Sequence, residues 1–287
     1  MSITHAIPAI WSAKILTQFQ EQTIFGGLAN REYEGEARGG NTVHITGIEP
    51  IEVKDYKANG RTTTADTVTD TGIELLIDQE KNFDFIVDDI DAAQAKPSLM
   101  SAYTKSAADG LAADADKFLA ALLIAEGTAI TPTAPATDGA SAWNVIRDLK
   151  KAMMKASIPA DQRVFVANAE FAALLDENDS KLMKANEFAT TAGLRNASYG
   201  KLLTFDSYSS ENLPETNVPQ IVAWHRSALA YVSQIEKTEP MRAQNKFADR
   251  LRGLHVYGGK VIRPNAVFHY TATSGAGGGG ETEGGDD

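Results

Sequence analysis

The stretch that most constrains the fold of this chain covers residues 98–126. Pro97 precedes it and Gly127 follows it, an asymmetry expected at the start and end of a helix. Alanine and other strong helix formers fill the stretch, and only Gly110 interrupts them. One helix of this length would be about 43 Å long at about 1.5 Å per residue. Globular helices average about 11–12 residues, so the sequence predicts an unusually long helix.

The two faces of this predicted helix differ in polarity. Apolar residues at mostly i, i+4 and i+8 spacing predict a buried stripe of Tyr103, Ala107, Leu111, Phe118 and Leu122. Charged residues predict a solvated side made of Asp109, Asp114, Asp116 and Lys117. On this stretch alone, the core helix of a globular enzyme is as good an interpretation as a structural spine.

The composition is that of a soluble globular protein, with 43% hydrophobic and 23% charged residues among 287. The net charge of −11 argues against general electrostatic wrapping of nucleic acid. The chain has no cysteine, which excludes disulfides, thiolate metal sites and thiol nucleophiles. No signal-peptide pattern opens it, and no window holds the ~18 apolar residues of a membrane span. The sequence therefore predicts a cytoplasmic protein without membrane contact.

Before the long helix, the chain has two segments that cannot build a core alone. Residues 9–19 predict a short amphipathic helix with Trp11 and Ile15 on one face, which must pack on something distant or on a neighbouring subunit. Alternating patterns around Val43 and Ile45, and again at 73–77, predict the two strands of a ribbon. At about 12 residues each the strands would project about 40 Å. Such a ribbon is marginal in water unless another surface covers it, so a neighbouring subunit is predicted to do so; a disordered loop is the alternative.

After the ribbon the chain predicts alternating strands and helices. The predicted strands are 82–87, 163–167, 200–205, 220–224 and 254–267, the last interrupted at Gly258-Gly259. The predicted helices are 143–155, 168–175 with Asn168 as its cap, and 241–251 with a basic stripe of Arg242, Lys246 and Arg250. A polar turn is predicted at 207–214, residues 228–235 fit either strand or helix, and 274–287 predicts a flexible acidic Gly-rich tail.

Catalytic patterns are missing from the sequence. The five histidines have no metal-ligand spacing, and there is neither a GxSxG elbow nor a phosphate-binding glycine loop. Asp88, Asp89 and Asp91 lack the glycine of a calcium loop, so a solvated corner is the better interpretation. The sequence therefore predicts no enzyme, no cofactor and no metal site.

Three groups of short motifs succeed one another along the chain. The N-terminal group is Trp11-Ser12-Ala13-Lys14 and Asn30-Arg31-Glu32-Tyr33-Glu34-Gly35. The second is Gly40-Asn41-Thr42-Val43, Lys54-Asp55-Tyr56, Ile77-Asp78-Gln79, Asp88-Asp89-Ile90 and Ala93-Gln94-Ala95. The third is Glu211-Asn212-Leu213-Pro214, Ala223-Trp224-His225-Arg226-Ser227-Ala228, and the run from Arg252 to Val261 followed by Arg263-Pro264. In this order they resemble tailed-bacteriophage major capsid proteins of the Hong Kong 97 fold, in particular actinophage-type coat proteins.

The resemblance implies an α+β capsid fold and assigns its parts. These are an N-arm (1–32), an extended β-ribbon loop (33–76), a peripheral lobe (77–159 and 235–273) with the spine helix 98–126, an axial lobe (160–234) and the tail 274–287. It implies many copies, as pentamers and hexamers, closing into an icosahedral shell around phage double-stranded DNA. The partners implied are neighbouring capsid subunits, a separate scaffolding protein, a portal, an optional decoration protein and DNA bound non-specifically. The location implied is the virion capsid, assembled in the host cytoplasm.

The predicted site is a set of intersubunit contacts, since repeated head-to-tail binding closes a shell. They are Trp11, Ile15, Val43, Ile45, Ile48, Ile51, Lys54, Tyr56 and Arg61. Covalent cross-linking through Lys54 or Lys57, known in some relatives, is disfavoured because no partner asparagine can be chosen. Two alternatives stay open: a nanocompartment shell protein of the same fold, and a soluble α/β binding protein or hydrolase with a ligand pocket.

Overall fold

The computed structural model describes residues 23–35, 41–48, 53–63, 65, 70–88, 99–177, 200–243, 245 and 247–273. The helices in these ranges are α1 (Phe25–Leu28), α2 (Leu99–Glu126), α3 (Gly139–Lys155) and α4 (Ala169–Leu175), with 3₁₀ turns at Glu32–Gly35, Arg226–Ala228 and Pro264–Ala266. The strands are β1 (Thr42–Ile48), β2 (Asp70–Leu76), β3 (Gln79–Asp88), β4 (Thr128–Ala129), β5 (Arg163–Ala167), β6 (Lys201–Leu202), β7 (Phe205–Ser209), β8 (Gln220–His225), β9 (Leu229–Arg242), β10 (Ala248–Val261) and β11 (Val267–Thr271). The predicted helix 9–19 and tail 274–287 lie outside the described residues.

The described strands form three sheets. β1 and β2 make an antiparallel ribbon, and β3, β10 and β9 make an antiparallel sheet in that order. The third sheet is mixed and has six strands in the order β4-β11-β8-β5-β7-β6, with β5 parallel to β7 and β4 parallel to β11. The mixture of helices and sheets confirms the predicted α+β class.

The six-stranded sheet is covered on both faces, because side chains alternate along its strands. Val164, Val166 and Trp224 face α1 and α2, whereas Phe165 and Ala223 face α3 and α4. Asp138 caps the start of α3, and its carboxylate accepts a 2.7 Å hydrogen bond from the Ser141 backbone N–H in a capping box. Hydrogen bonds from Ser141 hold the pKa of Asp138 below its usual range. The layers are therefore helix, sheet, helix.

The long helix is confirmed, but its predicted faces are only partly correct. Phe118 and Leu122 pack against the core and Asp109 and Lys117 are exposed, as predicted. Between 103 and 126, the side chains buried on α2 are Ala115, Asp116, Leu119, Ala120 and Leu123. Tyr103, assigned to the buried stripe, is 52% exposed. Alanines occur around the whole helix, so sequence periodicity marks no single face strongly. The buried face is set instead by the elements that pack on it.

The predicted helix 241–251 is also wrong. β9 continues to Arg242 and β10 begins at Ala248, so this stretch turns the corner of a long hairpin. The two predicted stripe residues in the described part, Arg242 and Arg250, lie on strands, and Lys246 lies outside it. Arg242 pairs with Asp249 across the hairpin, so Arg242 and Arg250 point to opposite faces of the sheet. The spacing of four residues spans a chain reversal, and a periodicity that assumes one continuous element does not detect that reversal.

Three further strand predictions change in detail. The predicted strand 200–205 is broken at Leu203 and Thr204, which have positive φ angles of 48° and 85°. β7 then runs to Ser209, inside the stretch predicted as a turn. Residues 228–235, compatible with either state, belong mainly to β9, and β10 continues through Gly258-Gly259 without interruption.

Candidate assembly surface

The ribbon base, defined here as 41–48 and 70–77, is buried within the chain itself. Val43, Ile45, Leu75 and Ile77 are 5%, 8%, 0% and 6% exposed. They pack on the apolar residues of β9 and β10: Ala230, Val232 and Val256. The sequence predicted that Val43 and Ile45 need a neighbouring subunit to cover them. That reason is wrong, because the body of the same subunit covers both.

Two glycines of β10 allow the ribbon base and the long helix to approach the strand. A Cβ atom at Gly258 would lie 2.1 Å from the carbonyl oxygen of Leu76, and one at Gly259 would lie 2.8 Å from Leu119 Cδ2. Real Cβ atoms do not approach a backbone oxygen so closely. The glycine pair is thus a packing feature rather than the strand break that the sequence predicted.

The ribbon tip, defined here as 53–63, differs from the base because every residue in it is exposed. Its two large exposed apolar side chains are Val53, at 96%, and Tyr56, at 55%. These two side chains are apolar groups that the turn leaves accessible to a partner.

Local hydrogen bonds give the tip its shape. Asp55 Oδ1 accepts bonds from the backbone N–H groups of Lys57 (2.9 Å) and Ala58 (3.2 Å), as at the start of a helical turn. The Arg61 N–H donates to the Tyr56 carbonyl over 2.9 Å. Gly60 and Arg61, with φ angles of 67° and 58°, end the turn in the left-handed region. These local bonds pre-organise the tip.

The structure divides the predicted contact residues into three groups. Trp11, Ile15 and Ile51 lie outside the described residues, and Ile48 ends β1. Val43 and Ile45 are buried in the base, whereas Lys54, Tyr56 and Arg61 lie together on the exposed tip. Contact of any of them with a neighbouring subunit stays a prediction.

A buried carboxylate that sequence reasoning placed in solvent anchors the segment before the ribbon. Asp116, 1% exposed, accepts hydrogen bonds from the backbone N–H groups of Ile24 (3.0 Å) and Gly26 (3.0 Å). The Asn212 side-chain amide also donates to it over 3.0 Å. The only local sign that this aspartate is buried was its position beside small residues on α2. Its hydrogen-bond partners lie about ninety residues away in each direction, so the sequence around Asp116 does not show them.

The same segment is held by packing and by a strand-like bridge. Phe25 is fully buried and stacks on Trp224, with ring centroids 5.7 Å apart and planes 13° apart. Asn30 N–H donates to the Leu229 carbonyl over 2.8 Å, and the Asn30 carbonyl accepts from Tyr231 N–H over 3.0 Å. These contacts hold residues 24–30 against the body of the subunit.

The hairpin tip, defined here as 241–243, 245 and 247–250, presents a second exposed surface, which the incorrect helix prediction did not anticipate. Phe247 is 83% exposed, and Ile86 and Met241 are 52% and 38% exposed. A cleft of about 460 Å³ lies beside them, bordered by the Arg250 and Arg252 side chains. The surface combines apolar groups with guanidinium groups, a combination enriched in protein interfaces.

Ion pairs cover the exposed face of the three-stranded sheet. Arg250 Nε donates to Asp84 Oδ1 over 2.8 Å and holds the pKa of Asp84 below its usual range. Hydrogen bonds from Lys237 and Arg252 lower the pKa of Glu239 to about 2. These exposed pairs are screened by solvent, so each adds little to stability.

The described residues offer few groups that could carry out catalysis. A serine–histidine pair, His225 Nδ1 and Ser227 Oγ at 2.8 Å, closes a local turn, because the Ser227 backbone N–H also donates to Nδ1. Burial lowers the pKa of His225. Within the described ranges no three histidine or acidic side chains are grouped to hold a metal ion. Among the helices described, none is long and apolar enough to span a membrane.

Comparisons with known proteins give a consistent result. The family model of phage capsid proteins matches residues 72–270. A solved structure described as Mycobacterium phage Che8 is 49% identical, with 94% of this chain and 98% of that chain covered and a TM-score of 0.86. The capsid structure of the cyanophage P-SCSP1u is 17% identical, with 93% of each chain covered and a TM-score of 0.77. No curated protein sequence matches the chain.

One further structure bears on the nanocompartment alternative. A virus-like particle from Pyrococcus furiosus is 12% identical over 80% of this chain and 86% of that one, with a TM-score of 0.53. At such identity the likeness extends to the fold alone. The fold is thus shared by particles from different sources, and the match at 49% identity is the one of these three that carries information about family.

Proposed function

The chain belongs to the phage capsid protein family, and from this premise we propose how its subunits join into the shell of a phage head. Its membership rests on the family match over 72–270 and on the relative at 49% identity. It is a structural major capsid protein with a Hong Kong 97-like fold, located in the virion capsid, and not an enzyme. Its function therefore depends on the contacts between its subunits.

The ribbon tip is the part of each subunit that lies on a neighbour. The observation that carries this proposal is an ordered turn, 53–63, whose residues are all exposed while the ribbon base is buried. A pre-organised contact loses less conformational entropy on binding. At about 25 cal/mol per Å², a few hundred Å² of apolar burial is worth several kcal/mol before association costs. Repetition over a closed shell multiplies this modest contact.

The proposed lobes correspond to the sheets. The N-arm (1–32) and the extended loop (33–76) keep the bounds predicted from the sequence. Support for a shifted boundary between the other two lobes comes from β11, which lies in the same sheet as β5 and β8, and from α3, which packs on one face of that sheet. We therefore assign 127–228 and 263–273 to the axial lobe, and 77–126 with 229–262 to the peripheral lobe.

The remaining partners come from the family resemblance. Subunits group into pentamers and hexamers, with assembly in the host cytoplasm on a separate scaffolding protein and around a portal. A decoration protein is optional. The shell encloses double-stranded DNA without sequence-specific contacts, consistent with a net charge of −11 on the subunit.

The test is to replace 54–61 with a Gly-Ser linker of equal length. We expect a folded subunit that forms no shells in electron micrographs, because the replacement removes Tyr56 and the Asp55-based turn but leaves the base. Met154→Ser is the matched control, since Met154 is 61% exposed on α3 and outside the ribbon. Normal shells from the replaced chain would refute the role of the tip.

The content of the shell is tested separately. Particles purified from phage-infected cells are expected to contain duplex DNA protected from nuclease. Particles that hold cargo protein and no DNA would favour a nanocompartment instead.

A further inference from the structure

The outward face of α3 carries a concentration of positive charge in an otherwise acidic chain. Arg147, Lys150, Lys151 and Lys155 occur within nine residues at helical spacing and border a cleft of about 530 Å³. The net charge of the whole chain is −11. We call this cleft and its four cations the basic groove.

The floor of the basic groove is apolar. It is formed by Met154, which is 61% exposed, and by Leu203 in the turn between β6 and β7. Arg147 contacts Asp148 at 3.4 Å. In the part of the chain that the structure describes, no carboxylate lies within ion-pair distance of the three lysines. The groove thus offers an anion-binding surface built on a rigid helix.

We propose that the acidic C-terminal segment 274–287 of the same chain docks in the basic groove. This segment carries Glu281, Glu283, Asp286 and Asp287 and no cation. Four carboxylates therefore face four cations, and opposite charges in such numbers steer and hold a segment.

Other segments outside the described residues match the groove less well. The longest internal one, 178–199, has three cations, Lys181, Lys184 and Arg195, against only two carboxylates. Residues 1–22 contain one lysine and one glutamate. Charge complementarity therefore favours 274–287 over both.

The distances allow the docking. The Tyr270 hydroxyl accepts a 2.9 Å hydrogen bond from Ala136 N–H, so the end of β11 lies close to the start of α3 at Gly139. Along α3, Arg147 is about 12 Å from Gly139 and Lys155 about 24 Å, at about 1.5 Å per residue. Glu281 is the eighth residue after Thr273 and reaches at most about 26–29 Å. Asp287 is the fourteenth residue after Thr273 and reaches at most about 46–50 Å. The acidic end of the segment is therefore long enough to reach every cation of the groove, even with a gap between Thr273 and Gly139.

Docking of this kind depends on salt. Individual exposed ion pairs contribute little, so several must form together. The Debye length falls from about 10 Å at 0.1 M salt to about 3 Å at 1 M. The docked state is thus favoured at low ionic strength and released at high ionic strength.

The absence of cysteine makes a direct distance measurement simple. Nitroxide labels at Ala156→Cys and Gly284→Cys report the separation of the segment from the end of α3 by pulsed dipolar spectroscopy. Labelled full-length subunits are diluted in unlabelled ones, so that only distances within one chain contribute. We expect a short-distance population at 0.1 M salt that disappears at 1 M and in the triple variant Lys150→Gln, Lys151→Gln, Lys155→Gln.

The matched control removes three cations elsewhere. Lys54→Gln, Lys57→Gln and Arg61→Gln alter the ribbon tip by the same charge and are expected to leave the short distance unchanged in unassembled subunits. The proposal is overturned if the groove variant and the unaltered groove give the same distances, or if both triple variants lose the short population equally. The proposal would also be overturned if duplex DNA binds the unaltered groove but not the groove variant while the separation of the two labels stays long at every salt concentration.

A second measurement tests the same docking without the groove variant, so it does not depend on whether that variant folds. Acetylation of lysines in the unaltered chain is compared with that in a chain lacking 274–287. The rates at Lys150, Lys151 and Lys155 are expected to rise about twofold or more if docking covers at least half of the molecules. Lys54 and Lys57 are the internal controls, and unchanged rates at the groove lysines would contradict the docking.

Discussion

The base and the tip of the ribbon belong to one hairpin but stand in opposite environments. Leu75 in the base is fully buried, whereas Val53 in the tip is 96% exposed. The base packs on β9 and β10, whereas hydrogen bonds such as that from Arg61 N–H to the Tyr56 carbonyl form within the tip. The base therefore stabilises the subunit, while the tip leaves its contact area available for assembly.

A cavity in the base should be the most costly change. Leu75→Ala is expected to lower the free energy of unfolding by about 2–5 kcal/mol, because it removes a fully buried side chain. Urea denaturation measures the loss. Leu76→Ala is the matched control: Leu76 is the next residue but is 51% exposed, so a change within about 0.5 kcal/mol is expected. Equal losses for both would contradict a buried base.

An added atom where the base crosses β10 should cost somewhat less. Gly258→Ala is expected to lower stability by about 1–3 kcal/mol or more, since the new Cβ meets the Leu76 carbonyl oxygen and backbone must move. Gly72→Ala within the ribbon is the control, because nothing lies within 4 Å of a Cβ there. If thermal melting shows the two variants to be equally stable, the close crossing is wrong.

Loss of the anchor for the segment that precedes the ribbon should have a similar or smaller effect. Asp116→Ala leaves buried donors at Ile24, Gly26 and Asn212 without their acceptor and is expected to cost about 1–3 kcal/mol. Limited proteolysis should cut near residue 23 faster in the variant. Asp109→Ala, at an exposed position of the same helix, is expected to change neither quantity. If Asp116→Ala is cut near residue 23 at the same rate as the unaltered chain, Asp116 does not anchor this segment.

The ion pairs on the three-stranded sheet are exposed, as the tip is, and should contribute least to the free energy of unfolding. Hydrogen bonds lower the pKa of Glu239 from 4.5 to about 2. The stabilisation they provide is complete above the ordinary pKa and is lost as the pH falls toward about 2. The melting temperature of the unaltered chain should therefore approach that of Glu239→Gln between pH 5 and pH 2, as measured by calorimetry. If the difference between the two melting temperatures stays constant over this range, the lowered pKa of Glu239 is contradicted.

Local signals made part of this fold predictable. Pro97 and Gly127 bracket α2, and Asn168 caps α4 through a 3.0 Å bond from Phe171 N–H. The same reasoning failed at Arg242 and Arg250, because their helical spacing spans the chain reversal between β9 and β10.

The candidate site was harder to predict from the sequence than the fold, because more of it depends on contacts between residues far apart in the chain. The exposed tip with Lys54, Tyr56 and Arg61 was predictable, because a polar stretch between two strands has nothing to bury. The burial of Asp116 was not, since its partners lie about ninety residues away in the sequence. The covering of Val43 and Ile45 likewise depends on Gly258, which admits the ribbon base to the body.

Hydrogen exchange on free subunits and on assembled shells tests the division between base and tip most directly. Backbone amides of the base, 41–48 and 70–77, are expected to be protected to the same extent in both states. Those of the tip, 53–63, are expected to exchange rapidly in the free subunit, because their hydrogen bonds are exposed, and slowly in the shell. Rapid exchange of the tip in the shell, equal to that in the free subunit, would contradict the proposed contact.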